Sequence, residues 1–180
     1  MSLQDKMTLS RTLIQAMVFK KRTPLVVGWN ITFRCNLQCR YCNVEHAHAQ
    51  EMETDSILRM IDSMASAGTR FINFSGGEPM LRDDLEEIIN HCRQKKIQVT
   101  ISTNGTLVQS HFSQIRNADE IQLSLDGPQN INDALRGEGV HDQVIQALAL
   151  CCKQKVKTSI STVISNQNLE HLPYLISVAE

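Results

Sequence analysis

LVVGWNITFRCNLQCRYC, residues 25–42, runs from an apolar stretch directly into a loop that holds three of the chain's six cysteines. The opening residues, 25–31, are short, mostly apolar and suited to a buried strand. Cys35, Cys39 and Cys42 follow within eight residues, and no further cysteine comes until Cys92. A closed site built on thiolates takes four protein ligands. Three cysteines on one loop at a strand end therefore leave a coordination position open, which is what chemistry at a metal needs.

Downstream, the strand, loop and helix pattern repeats. Thr54 is the expected N-cap of a helix with an inward stripe of Ile57, Met60, Ile61 and Met64, and Gly68 is its expected stop. A strand over residues 71–75 leads into SGGEP, residues 75–79. Asp83 is the expected cap of the next helix, with Glu86 three residues on and Arg93, Lys95 and Lys96 at its far end, complementing the helix dipole. Residues 97–102 form a third strand ending in STNG, and a less regular helix lies within 108–117. Residues 120–125 form a fourth strand ending in SLDGP, and residues 140–155 a helix. A fifth strand, 156–164, ends in SNQN, and another helix starts at 169. Five such units with buried-looking strands imply an α/β fold: a parallel sheet with helices outside, barrel-like or doubly wound. In either arrangement the loops after the strands open at one carboxyl edge, where ligands bind.

A chain of 180 residues fits one domain that buries roughly two thirds of its unfolded surface. With 42% hydrophobic and 21% charged residues and a net charge of −1, nothing argues for electrostatic binding of nucleic acid. Leu9, Leu13, Ala16 and Met17 fall at helical spacing before Lys20, Lys21 and Arg22, so residues 1–23 read as an amphipathic helix and basic linker. Their charge follows the apolar stretch, unlike a secretory signal, and no run of about 18 apolar residues exists to span a membrane. The expected compartment is the cytoplasm, where thiols stay reduced and a close cysteine cluster suggests metal or redox chemistry. Cys92, Cys151 and Cys152 continue apolar stripes and read as inert core thiols.

The C-x3-C-x2-C loop with Tyr41 before its last cysteine, together with GGEP, STNG and SLDG at successive strand ends, resembles the radical S-adenosylmethionine enzyme family from about Leu25 onward. The resemblance implies a partial (βα) barrel: five βα units of a core that usually has six. The core domain over residues 24–180 is then expected to be incomplete at its C-terminal end, with an open sheet edge through which the chain could self-associate. It also implies a [4Fe-4S] cluster on Cys35, Cys39 and Cys42, whose fourth iron is left for the amino and carboxylate groups of S-adenosylmethionine. An electron from an external donor such as flavodoxin or ferredoxin would break a carbon–sulfur bond, giving methionine and a 5′-deoxyadenosyl radical that takes hydrogen from substrate. Tyr41 resembles the aromatic near the adenine, and Gly76 and Gly77 the backbone edge facing the methionyl amino group. Ser124 matches a position contacting the methionine moiety or ribose, and Arg136, read as a loop residue, a carboxylate partner.

Glu78 is open between a turn role and ligand contact, and Asp126, in Asp-Gly-Pro, reads as a turn residue in preference to a general base. No hydrogen-donating catalytic residue is identified. The sequence is similar to members that modify peptides or cofactor precursors such as tetrapyrroles and quinones, and that often continue into a C-terminal, cysteine-rich SPASM-type domain. Two alternatives stand beside this reading. One is an iron–sulfur and S-adenosylmethionine-binding scaffold without turnover. The other is a Cys3His zinc site using His46 or His48, which would leave the strand-end motifs unexplained.

Overall fold

The computed structural model describes Ser10, residues 23–42 and residues 50–180. Most of the expected N-terminal helix and linker, and both His46 and His48, lie outside the described residues.

Five strands form one parallel sheet: β1 (Val26–Thr32), β2 (Phe71–Gly76), β3 (Gln98–Thr103), β4 (Glu120–Ser124) and β5 (Thr158–Ser161). Their spatial order is their chain order. A doubly wound sheet reverses its order at a switch point, so this is the barrel-like alternative, a partial barrel. The helices between the strands are α1 (Thr54–Ala67), α2 (Leu85–Gln94), α3 (Val108–Ile115), α4 (Gln129–Arg136), α5 (Val140–Lys153) and α6 (Leu172–Ala179).

Burial alternates along β2, β3 and β4. Ile72, Phe74, Val99, Ile101, Ile121 and Leu123 are buried in one cluster with Ile57, Ile61, Leu85, Ile88, Ile89, Ile115 and Val144 of the helices. Each such side chain contributes about 1.5–3 kcal/mol by leaving water. Apart from Phe71 at the start of β2, the intervening positions of these strands are polar and partly exposed, and several bond across strands: Ser75 Oγ donates to Asn30 Oδ1 at 2.8 Å, and Ser102 Oγ lies 2.9 Å from Asn73 Oδ1 and 2.8 Å from Gln122 Oε1. The apolar runs in the sequence read as buried strands, and burial here falls mainly on one face. The helix-facing side carries the apolar core, and the opposite face, apart from Val26 and Phe71 at the strands' amino ends, is polar toward the carboxyl edge.

Several local expectations change. The α1 cap position is Glu53, while the Thr54 hydroxyl donates to Asp84 at 2.6 Å instead of capping its own helix. Asp84 stands at the cap position of α2, where Asp83 was expected. Met60 is exposed and Leu58 packs against the core in its place. Cys92 and Cys151 are buried, with thiols pushed up to about 12 and about 11 by burial, but Cys152 is exposed. One helical step of about 100° after Cys151 turns Cys152 outward. The irregular third helix is present, kinked at His111. β5 is only four residues long, and α4 fills a stretch read as loop.

Candidate functional site

The cysteine loop leaves β1 and is fastened first to the turn after β2. Gly77 N–H donates to Thr32 O at 2.9 Å and Glu78 N–H to Arg34 O at 2.7 Å. This contact is so close that a Cβ on Gly76 would lie 2.0 Å from Thr32 O, and one on Gly77 would lie 2.1 Å from Arg34 O. Gly76 also has φ 133°, which other residues rarely adopt. The sequence reading gave the glycines to ligand approach; in the structure it is first the cysteine loop's own backbone that requires them.

Glu78 is fully buried, and all its carboxylate bonds are internal. Oε1 accepts from Met80 N–H at 3.1 Å and Thr103 Oγ1 at 2.8 Å, and Oε2 accepts from Asn104 N–H at 2.8 Å. It thus joins the loop after β2 to the loop after β3 and does not line the site's cavity. Burial pushes this carboxyl up, against the pull of those three bonds.

Two charge networks hold the base and the far end of the cysteine loop. At its base, Arg34 Nε donates to Glu51 Oε1 at 2.9 Å, and buried Arg82 reaches Ile31 O, Met52 O and Asp84. At the far end, Arg40 N–H donates to Leu135 O at 2.9 Å, docking the loop on α4. The Asp126 carboxylate, wholly buried, accepts from Tyr41 Oη at 2.6 Å and Arg136 Nε at 2.7 Å on one oxygen. Its other oxygen accepts from Val163 N–H at 2.9 Å and Thr162 Oγ1 at 3.2 Å. The Arg136 guanidinium carbon stands 5.6 Å from the Tyr41 ring centroid. Burial pushes the Asp126 carboxyl up, but the bonds from Arg136 and Tyr41 outweigh it and hold the group below its ordinary value. Burial and the bond to Asp126 together push the Tyr41 hydroxyl well above its ordinary range.

These supports frame one cavity of about 230 Å³ at the carboxyl edge of the sheet. Cys35, Cys39, Cys42, Tyr41, Gly76, Gly77, Ser124 and Arg136 all line it, so eight of the nine expected site residues meet there, Glu78 being the exception. Arg136 is not a loop residue: it is the last residue of α4 and is 8% exposed. Burial pushes the Cys35 and Cys39 thiols up, and in Cys39 the Arg136 charge opposes it. Among the described residues no three ligating side chains gather round a single ion, as thiolates on separate corners of a cluster need not. Ser102, Asn104, Ser161 and Val163 also line the cavity; Ser102 and Asn104 belong to STNG, quoted above only as a motif, and none of the four is among the expected site residues. Their shared position at or just beyond the carboxyl end of β3 or β5 was the available signal.

A family model described as the Radical SAM superfamily matches residues 29–179. Fe-coproporphyrin III synthase of Methanosarcina barkeri is 35% identical over 171 residues, covering 90% of this chain and 42% of that protein. Mycofactocin maturase MftC of Mycolicibacterium smegmatis is 29% identical over 163 residues, covering 87% and 42%. The chain thus spans less than half the length of these curated relatives. Among solved structures, anSMEcpe with bound AdoMet and the Cp18Cys peptide is similar at 25% identity and TM-score 0.72, over 85% of this chain and 46% of that one. Streptococcus suis SuiB bound to precursor peptide SuiA shares the fold at 20% identity and TM-score 0.80, over 94% and 40%. Strand order, the three-cysteine loop and the family match over most of its length agree that this chain belongs to the radical SAM superfamily.

Proposed function

We propose that this chain holds a [4Fe-4S] cluster through Cys35, Cys39 and Cys42 and binds S-adenosylmethionine beside it. The observation that carries the reading is that the cysteines, the glycine edge, Ser124 and Arg136, drawn from four separate segments, line one cavity. The donor set fits. Three soft thiol ligands suit iron–sulfur coordination, and Gly76 and Gly77 bring bare backbone to the cavity wall. When bound, the cluster and S-adenosylmethionine supply one-electron cleavage of a carbon–sulfur bond and a 5′-deoxyadenosyl radical that removes hydrogen from a substrate.

The chain's residues place and shelter that chemistry. Arg136 spends Nε on Asp126, and among the described residues its terminal nitrogens have no protein hydrogen bond, so they offer a cationic fork to a carboxylate. Ser124 supplies a hydroxyl at the end of β4, and Tyr41 an aromatic wall beside Arg136. An external one-electron donor such as flavodoxin or ferredoxin is required. The substrate is a peptide or a cofactor precursor: relatives include a protein named for coproporphyrin chemistry and structures holding peptides.

Anaerobic reconstitution is expected to give a brown protein with about four irons per chain. Alanine at Cys35, Cys39 or Cys42 is expected to abolish the cluster, and alanine at Cys92, Cys151 or Cys152 to leave it. S-adenosylmethionine is expected to alter the electron paramagnetic spectrum of the reduced protein. A colourless protein with stoichiometric zinc and no acid-labile sulfide would overturn the proposal.

A further inference from the structure

A closed ring of three side chains joins the cysteine loop to the loop after β3. Asn104 Nδ2 donates to Asn36 Oδ1 at 2.8 Å, Asn36 Nδ2 donates to Thr106 Oγ1 at 2.8 Å, and Thr106 Oγ1 donates to Asn104 Oδ1 at 2.7 Å. The Thr106 backbone N–H donates to the same Oδ1 at 3.0 Å. Directions agree all the way round: each amide gives from nitrogen and accepts at oxygen, and the single hydroxyl proton is used once. The Asn104 amide is therefore oriented by its neighbours. Its backbone is held as well, because Asn104 N–H donates to the buried Glu78 carboxylate, and the residue is 7% exposed.

One hydrogen of Asn104 Nδ2 is left over from the ring, and it has a partner: Sγ of Cys35 at 4.0 Å. Leu37 N–H approaches the same sulfur at 3.5 Å. Among the described residues, the hydrogen bonds to the three loop sulfurs both fall on Cys35. A ring whose task was only to pin two loops together would have no need to aim a donor at a metal ligand.

We propose that Asn104 tunes the cluster: its amide donates to the Cys35 thiolate and raises the reduction potential of an iron–sulfur cluster held by this loop. This rests on the cluster reading above. Adding an electron to the cluster increases negative charge on its sulfurs, so a fixed donor to one of them stabilises the reduced state more than the oxidised one. Asparagine suits the task because it is a neutral donor whose carbonyl can be locked at the same time.

The test is a mediated potentiometric titration of the chain reconstituted anaerobically with iron and sulfide, using dithionite as reductant and following the reduced-cluster spectrum. Asn104→Leu keeps the branching, the number of side-chain heavy atoms and the charge but removes the donor. Thr106→Val opens the same ring but keeps the donor. Asn104→Leu is expected to disfavour reduction about tenfold, about 59 mV lower for a one-electron couple, with Thr106→Val moving the potential by less than a third of that. Equal potentials in wild type and Asn104→Leu, or equal shifts in the two variants, would overturn the proposal. If Asn104→Leu retains no cluster, Asn104→Ser is titrated in its place and is expected to shift in the same direction. Loss of the cluster from both, in proteins with native circular dichroism, would assign Asn104 to loop structure and overturn tuning. If wild type itself takes up no iron and sulfide, the cluster reading fails, and that outcome is distinct from all of these.

Discussion

At Asp126 a single buried carboxylate takes bonds from the cysteine loop, from α4 and from the segment after β5. Removing it leaves the Arg136 charge without its partner in a nearly buried place, so Asp126→Ala is expected to cost about 3–5 kcal/mol, read in urea unfolding. The pH dependence has a definite sign. The folded carboxyl sits below its ordinary value, so its stabilisation is complete above about pH 4 and is lost as pH falls through the lower folded value. The stability gap between wild type and Asp126→Asn is thus expected to narrow on acidification from about pH 6 to about pH 3. Gly77 is a second point of leverage. With a Cβ 2.1 Å from Arg34 O, Gly77→Ala must displace the cysteine loop. The expected results are destabilisation of about 1–3 kcal/mol and reduced iron retention after desalting.

Among the elements, α1 shows how termini are decided by neighbours. Its C-terminus is local: Gly68 at φ 102° takes the left-handed stop. Gly68→Ala is expected to lose about 1–2 kcal/mol from that conformation, with the Thr23 methyl only 2.7 Å from the new Cβ; thermal unfolding checks it. Its N-terminus is tertiary, because the Thr54 hydroxyl that could cap it is drawn 30 residues away to Asp84. The short α4 has the same character. QNINDALR offers only two large apolar side chains, Ile131 and Leu135, besides Ala134, too few to announce a helix by periodicity, and the turn before it depends on Asn132 Oδ1 accepting Asp126 N–H at 3.0 Å.

For the molecule as a whole, β5 has one neighbour in the sheet among the described residues, and Val163, Ile164, Leu169 and Ile176 are 47–61% exposed beside it. An unpaired edge next to apolar surface invites association. These 180 residues handled alone are expected to self-associate with rising concentration in sedimentation velocity, and Ile164→Lys combined with Ile176→Lys to reduce it. Concentration-independent monomers in wild type would remove this expectation.

The sequence by itself determined the strand and helix alternation, the single carboxyl edge, and the cysteines and glycines that line it, while Tyr41 and Ser124 came in only through the family resemblance. Those features rest on periodicity, on glycine's special backbone freedom and on ligand chemistry, all of which act within a few residues. Tertiary structure alone decided what Asp126, Glu78 and Asn104 do. Asp126 in Asp-Gly-Pro is also a turn residue by every local sign, yet its partner Tyr41 is 85 residues away. Asn104 meets Asn36 across 68 residues, and Glu78 meets Asn104 across 26. Hydrogen bonds between polar side chains are short-ranged and directional, so their pairing is set only when the sheet brings separate loops to one edge.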